Sequence, residues 1–204
     1  MHRLRQLHGN GVVVVGVADG RATTTVTPPL SIPEGVSIPE GVSFPEGDAV
    51  VSADRASVLA VLTADCAPVA LGSPGGTRAA VHAGWRGLCA GVIRRAAEVM
   101  RDLGAERVVA GIGPTIGPCC YEFSPADLDR LCAAFGDVVR AQSRRGRPAL
   151  DLPAAVRVAL GEAGVELVVD APACTACSDG YFSHRARGDR QRQALFVWRD
   201  GSGG

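Results

Sequence analysis

The chain contains no lysine: all 21 basic residues among its 204 are arginine. That absence excludes Schiff-base catalysis by a lysine amine and reflects a composition biased toward Ala, Gly and Arg. An excess of either charge is also lacking, since 21 acidic residues balance the arginines. The arginines are scattered without a dense basic stripe, which disfavours nucleic-acid binding. No apolar run approaches the ~20 residues that a membrane-crossing helix needs, and the charged N-terminus has no apolar secretion-signal core. A cytoplasmic location without membrane partners is therefore expected. The seven cysteines are odd in number and unlike a small secreted disulfide scaffold in spacing, so reduced thiols are expected.

With 47% hydrophobic and 21% charged residues, the chain suits one globular domain with a sizeable core. Val- and Thr-rich segments 11–17 and 22–27 flank Asp19-Gly20, which predicts a hairpin. Residues 31–47 then repeat Ser-Ile-Pro-Glu-Gly-Val twice and Ser-Phe-Pro-Glu-Gly once. Pro and Gly recur there too often for a helix or central strand, so a surface loop insertion is expected. Strands are predicted over 49–52, 58–63, 67–71 and 78–81, with Ser73-Pro74-Gly75-Gly76 as a turn. Leu88, Val92, Ile93, Val99, Met100 and Leu103 keep one apolar face and predict a single helix over 87–103, stopped by Gly104. A strand over 107–112 follows, then a helix capped by Ser124 with Pro125 in its first turn. A third helix over 153–163 and strands over 165–169 and 194–198 complete an α+β domain with mixed sheets.

Chemistry-bearing residues concentrate in three short segments: Gln6-Leu7-His8-Gly9, Thr63-Ala64-Asp65-Cys66 and Val81-His82-Ala83-Gly84-Trp85-Arg86-Gly87. Two imidazoles and a thiol make either a metal site or a cysteine–histidine catalytic pair. Cys66 and His82 end apolar runs, so pleated strands would deliver both to one sheet edge. Taken singly, His8 is also explained as a terminal histidine, Cys66 as a small buried hydrophobe and His82 as a hydrogen-bonded core residue. Asp65 is either an acceptor that orients a ligand or an acid–base group, and on a strand it would face away from Cys66. Arg86 offers a planar fork to phosphate or a structural salt bridge. The amides of 113–117 make either an anion-binding nest or a tight turn. Cys119-Cys120 and Cys174-Thr175-Ala176-Cys177 invite a second metal or a redox dithiol, but no flanking histidine pair or thioredoxin-like context accompanies them.

These segments, read with Gly113-Pro114-Thr115-Ile116-Gly117-Pro118-Cys119-Cys120-Tyr121-Glu122-Phe123 and Tyr181-Phe182-Ser183-His184-Arg185, resemble the multicopper-oxidase-like, laccase-domain family. Its members are called polyphenol oxidases or purine nucleoside phosphorylases. The resemblance runs from about Gln6 to Trp198 and is carried by the Thr-Ala-Asp-Cys and His-Ala-Gly-Trp-Arg-Gly blocks in that order. It implies layered mixed sheets flanked by helices, an αββα-like sandwich. It also implies that His8, Cys66 and His82 are the metal-binding and catalytic residues, with zinc as cofactor and copper as the alternative. Arg86 and Asp65 would then lie at the substrate, a purine nucleoside with phosphate. His184 stands where members carry Tyr or another aromatic, and reads as a pocket-wall residue. Members carry a longer N-terminal stretch with an Arg-x-Gly-Gly-Val-Ser motif and an Asn-Arg pair. Here seven residues precede His8: either the start was assigned too far downstream, or residues 1–204 form one shortened catalytic domain without that stretch, its pocket partly open.

The resemblance implies a zinc-dependent purine nucleoside phosphorylase acting on adenosine or inosine, with adenosine deamination as a second activity. Copper-dependent polyphenol oxidation is the alternative, although four histidines in total cannot build the several copper centres of an efficient oxygen-reducing laccase. A metal-free Cys66–His82 hydrolase and an inactive truncated homologue are the remaining readings. Exposed β edges favour a homo-oligomer.

Overall fold

The computed structural model describes residues 1–18, 21–26, 45–171 and 173–199. The hairpin turn at Asp19-Gly20 and the repeat up to residue 44 lie outside the described residues. The strands are β1 (His2–Arg3), β2 (Val12–Ala18), β3 (Arg21–Val26), β4 (Ala49–Ser52), β5 (Leu59–Thr63), β6 (Ala67–Gly72), β7 (Arg78–Ala83), β8 (Val109–Ile112), β9 (Arg140–Gln142), β10 (Pro148–Leu150), β11 (Glu166–Asp170) and β12 (Gln193–Val197). The helices are α1 (Trp85–Cys89), α2 (Val92–Asp102), α3 (Pro125–Phe135), α4 (Leu152–Glu162) and α5 (His184–Arg187). None is long and apolar enough to cross a membrane.

Strand polarity is mixed, as the α+β reading requires. Seven strands run in the order β11-β8-β6-β7-β4-β2-β3, with β2–β4 and β8–β11 parallel and the other pairs antiparallel. A second sheet, β1-β5-β12, lies against one face of the first, and α2 and α4 cover the other. Central strands of the large sheet are therefore buried on both faces and read as continuous apolar runs. The two-residue period sorts their side chains. Val13, Val15, Val50 and Ala80 meet Leu59, Val61, Leu195 and Val197 of the small sheet. Val12, Val51, Val69, Val81 and Ala83 meet Val92, Ile93, Ala96 and Met100 beneath the helices.

The predicted single helix over 87–103 is two helices instead. Gly91 adopts φ 80° between them and serves as the N-cap of α2, a left-handed conformation that only glycine takes without steric cost. The break lets α1 turn away toward the strand ends while α2 keeps its apolar stripe on β4 and β7. Ser124 caps α3 as expected, its hydroxyl accepting from the Asp127 amide.

Candidate metal centre

Two connections and the end of a strand converge at one end of the sandwich. His82 lies on β7, opposite Pro68 of β6, and is 3% exposed. Cys66 sits in the turn where the chain leaves β5 in the small sheet and enters β6 in the large one. His8 lies in the loop between β1 and β2. The ligand atoms of His8, Cys66 and His82 all lie within 4.8 Å of one another, and the two imidazoles meet edge to face with centroids 4.8 Å apart.

A residue that the sequence did not disclose holds this arrangement together. Asp48 is fully buried, and its carboxylate accepts from the backbone amides of Leu7 (3.2 Å), His8 (2.9 Å) and Gly9 (2.6 Å) and from His82 Nδ1 (2.8 Å). His8 is held at φ 62°. A left-handed non-glycine residue costs about 1–2 kcal/mol, which three charge-assisted bonds of about 1.5–3 kcal/mol each outweigh. Because Asp48 engages Nδ1, the His82 Nε2 atom is left for Cys66 or a metal, the usual arrangement of a carboxylate behind a ligating histidine.

The electrostatics follow from the same contacts. Burial opposes charge on His82, yet hydrogen bonds to Asp48 and Cys66 outweigh it and push the imidazole up to about 9. Burial likewise opposes the Cys66 thiolate, while hydrogen bonds from His8 and His82 pull it down to about 6. Asp48 is held below the ordinary carboxylate range: burial works against its charge, but bonds from His82, Gly9 and His8 prevail.

Two glycines of the His-Ala-Gly-Trp-Arg-Gly block are required by close approach. A Cβ at Gly84 would lie 3.0 Å from Cys66 Sγ and 3.1 Å from His8 Cδ2, and one at Gly87 would lie 2.9 Å from the Gly9 carbonyl oxygen. The start of α1 thus packs directly against Cys66 and His8.

Beside the trio opens a cavity of about 320 Å³. Trp85 and Tyr121 form apolar walls, and Arg86, Arg185, Arg192 and His184 line it as well. The Arg86 guanidinium stacks on the Trp85 ring at 4.4 Å and makes no ion pair among the described residues, unlike the structural salt bridge weighed for it. Arg185 lies over the Tyr121 ring at 5.0 Å.

The sequence model of the family described as multi-copper polyphenol oxidoreductase laccase matches residues 1–200. The chain belongs to that family. It is 44% identical over 156 residues to a purine nucleoside phosphorylase of Streptomyces coelicolor, covering 75% of this chain and 64% of that protein. It is 36% identical over 154 residues to the purine nucleoside phosphorylase YfiH of Escherichia coli, covering 74% and 63%. The chain thus spans less than two thirds of the length of these relatives. A crystal structure of a Neisseria meningitidis protein aligns with TM-score 0.74 at 29% identity, over 98% of this chain and 74% of that one.

In this laccase-family domain Asp65 is not on a strand, because β5 ends at Thr63 and Asp65 turns at φ 98°; the alternation rule that would aim it away from Cys66 does not apply. Its oxygens accept from Thr175 Oγ1 (2.8 Å) and the Arg185 amide (2.6 Å), and its carbonyl accepts from Thr115 Oγ1 and the Ile116 amide. Asp65 lines the cavity and also anchors the wall that carries Arg185. Asp65→Ala is expected to destabilise the domain by about 2–4 kcal/mol, as the buried Thr175 hydroxyl and the part-buried Arg185 amide lose their acceptor. The check is thermal unfolding together with faster amide exchange at Thr175 and Arg185.

The segment 113–117 is a tight connection, not an anion nest. The amides of Gly113, Thr115, Ile116 and Gly117 donate to Pro68 O, Ala173 O, Asp65 O and Cys174 Sγ. Asp48 was missed in the sequence because its donors Leu7, His8, Gly9 and His82 lie far from it along the chain.

Proposed function

We propose that this protein is a zinc-dependent purine nucleoside phosphorylase that cleaves adenosine or inosine with phosphate, with adenosine deamination as a second activity. The observation that carries this reading is a two-imidazole, one-thiol ligand set opening onto a cavity lined by Arg86, Arg185 and Arg192. Asp65, the sole acid among the described residues of that lining, has both oxygens engaged and is outnumbered by three arginines, so the cavity suits a phosphate dianion. The purine nucleoside phosphorylase names of the Streptomyces and Escherichia relatives support it.

The residues present fit a metal. His8, Cys66 and His82 would hold it, a trio that leaves a fourth position open in the manner of catalytic zinc, and the Asp48–His82 bond sets the tautomer that ligation needs. A thiolate with imidazoles suits zinc, and copper as the alternative, better than a hard cation. When bound, the ion supplies a Lewis acid that polarises an oxygen of phosphate or water.

The chain's own groups do the rest. The Arg86 fork, steadied on Trp85, binds and orients phosphate. Burial pushes the Tyr121 phenol up, so it stays protonated and donates a hydrogen bond into the cavity. Trp85 and Tyr121 exclude water from the sugar. A phosphate oxygen forms a bond to the ribose anomeric carbon as the bond to the purine nitrogen breaks, through an oxocarbenium-like state, and the departing purine nitrogen takes up the proton that the attacking hydrogen phosphate gives up. A second copy would pair at β11, the sheet edge where Val168 and Val169 are about half exposed.

The test is phosphate-dependent release of hypoxanthine from inosine, with elemental analysis of wild type and Cys66→Ala. Cys66→Ala is expected to lose about one equivalent of zinc and to fall to background turnover. Undiminished turnover in the variant, or release that does not depend on phosphate, would defeat the reading. A metal-free hydrolase is favoured by one observation, the Asp48–His82–Cys66 succession with its lowered thiol. Activity that survives chelation and is abolished by alkylation of Cys66 would establish it.

A further inference from the structure

The two cysteine pairs 119–120 and 174–177 lie 54 residues apart at their nearest in the sequence, yet the fold brings all four thiols together. Their sulfur atoms lie within 4.8 Å of one another, and Cys119 Sγ and Cys177 Sγ are 3.7 Å apart. In a tetrahedral thiolate site with metal–sulfur bonds of about 2.3 Å, each sulfur–sulfur edge is about 3.8 Å. All seven cysteines of the chain are free.

From this geometry we infer a second metal site, in which Cys119, Cys120, Cys174 and Cys177 together hold one thiophilic divalent cation of the zinc class. Four sulfurs without a carboxylate select against magnesium and calcium, and a set this compact encloses a single ion. None of the four lines the cavity at His8, Cys66 and His82, so the two sites are separate. Local packing supports the assignment. The Gly117 amide donates to Cys174 Sγ at 3.2 Å, the kind of bond that steadies a ligating thiolate. A Cβ at Gly117 would lie 3.3 Å from Cys174 Cβ and 3.4 Å from Cys119 Sγ, so glycine there lets the two loops close around one point. Cys177 is exposed and the other three are partly buried, which leaves an entry path.

The site joins two loops that build one wall of the cavity. Cys119 and Cys120 precede Tyr121 and Phe123, which Arg185 overlies. Cys174 and Cys177 bracket Thr175, which donates to Asp65, and the Thr175 and Ala176 carbonyls accept from Arg187. A cation held by all four sulfurs would close the loop between 120 and 174 and fix that wall. Its role is therefore structural, and its presence is independent of whether the cavity performs phosphorolysis.

The test loads the full chain with zinc, or with cobalt as a spectroscopic stand-in, and compares wild type, Cys66→Ala and Cys177→Ser. Cys66→Ala is expected to retain about one equivalent of metal, with the visible absorption of tetrahedral cobalt–thiolate, and Cys177→Ser to lose that equivalent and that absorption. In Cys66→Ala, which leaves the cluster untouched, strong chelation should render four further thiols reactive to a disulfide reagent. The assignment is overturned if Cys66→Ala binds no metal, if Cys177→Ser binds as much as wild type, or if the metal-free chain carries disulfides among these cysteines that leave no thiolate to bind. Should Cys177→Ser not fold, the spectrum and thiol count of Cys66→Ala decide the matter. Loss of phosphorolysis alone does not bear on it.

Discussion

Asp48→Asn is expected to weaken metal binding by about 10–100-fold, although Asp48 is itself no ligand. Its two oxygens serve four donors: the amides of Leu7, His8 and Gly9, and His82 Nδ1. An amide in its place has one acceptor oxygen. If that oxygen stays on His82, the new NH2 group confronts the Leu7 and Gly9 amides and the His8 loop loses its brace. If it turns, the imidazole loses the acceptor that sets its tautomer. Either way buried donors are left unpaired at about 1–3 kcal/mol each. Metal titration monitored by competition with a chelator measures the affinity, and thermal unfolding the stability.

The same variant has a pH signature in the metal-free protein. The Asp48 carboxylate favours the His82 imidazolium, and the imidazolium favours the Cys66 thiolate, which is pulled down to about 6. Removing the carboxylate's charge disfavours the imidazolium and so raises the Cys66 pKa. Alkylation of Cys66, followed by mass mapping across pH, should be half-maximal near pH 6 in wild type and at distinctly higher pH in Asp48→Asn. Coincident profiles would show that Asp48 acts on the site without electrostatic coupling.

Gly84→Val should disable the centre by crowding. Gly84 has φ −81° and ψ 162°, an extended conformation open to any residue, so the requirement for glycine is spatial, not conformational. A bare Cβ already stands 3.0 Å from Cys66 Sγ and 3.1 Å from His8 Cδ2, closer than ordinary van der Waals contact, and the two methyls of valine enlarge the clash. Displacement of groups at a reacting centre by the better part of 1 Å can cost about 10²-fold in turnover. Gly84→Ala, which asks the neighbours to give by less, should show a smaller fall in both turnover and metal affinity. Equal activity in all three proteins would mean that the centre tolerates displacement and that His8 and Cys66 do not act together.

Much of the candidate site was legible because its residues lie in contiguous motifs. His8, Cys66 and His82 each stand at a strand end or turn recognisable from flanking Val, Ala and Gly. Asp48 was not legible, because its partners Leu7, His8, Gly9 and His82 are 34 to 41 residues away and one buried aspartate has no local pattern. Asp65 was misread in orientation for a related reason: β5 was legible, but the left-handed turn after Thr63 follows from carrying the chain between two sheets. The helix break at Gly91 shows the local limit, since the apolar stripe ran on through 87–103 while the backbone turned. Which strands share a sheet was equally hidden, because β4, β5, β6 and β7 are all Val- and Ala-rich, yet β5 alone belongs to the small sheet.

By itself the sequence determined the α+β class, the positions of most strands, the family, and the set of imidazoles and thiols available for chemistry. These follow from side-chain type and from the two- and 3.6-residue periods, which are local properties of a chain. Tertiary structure alone decided that Asp48 stands behind His82, that Asp65 braces the Arg185 wall, and that four cysteines from two distant loops meet. Those outcomes depend on how two sheets stack and where connections cross between them, and through-space contacts of that kind leave no periodic trace in the order of residues.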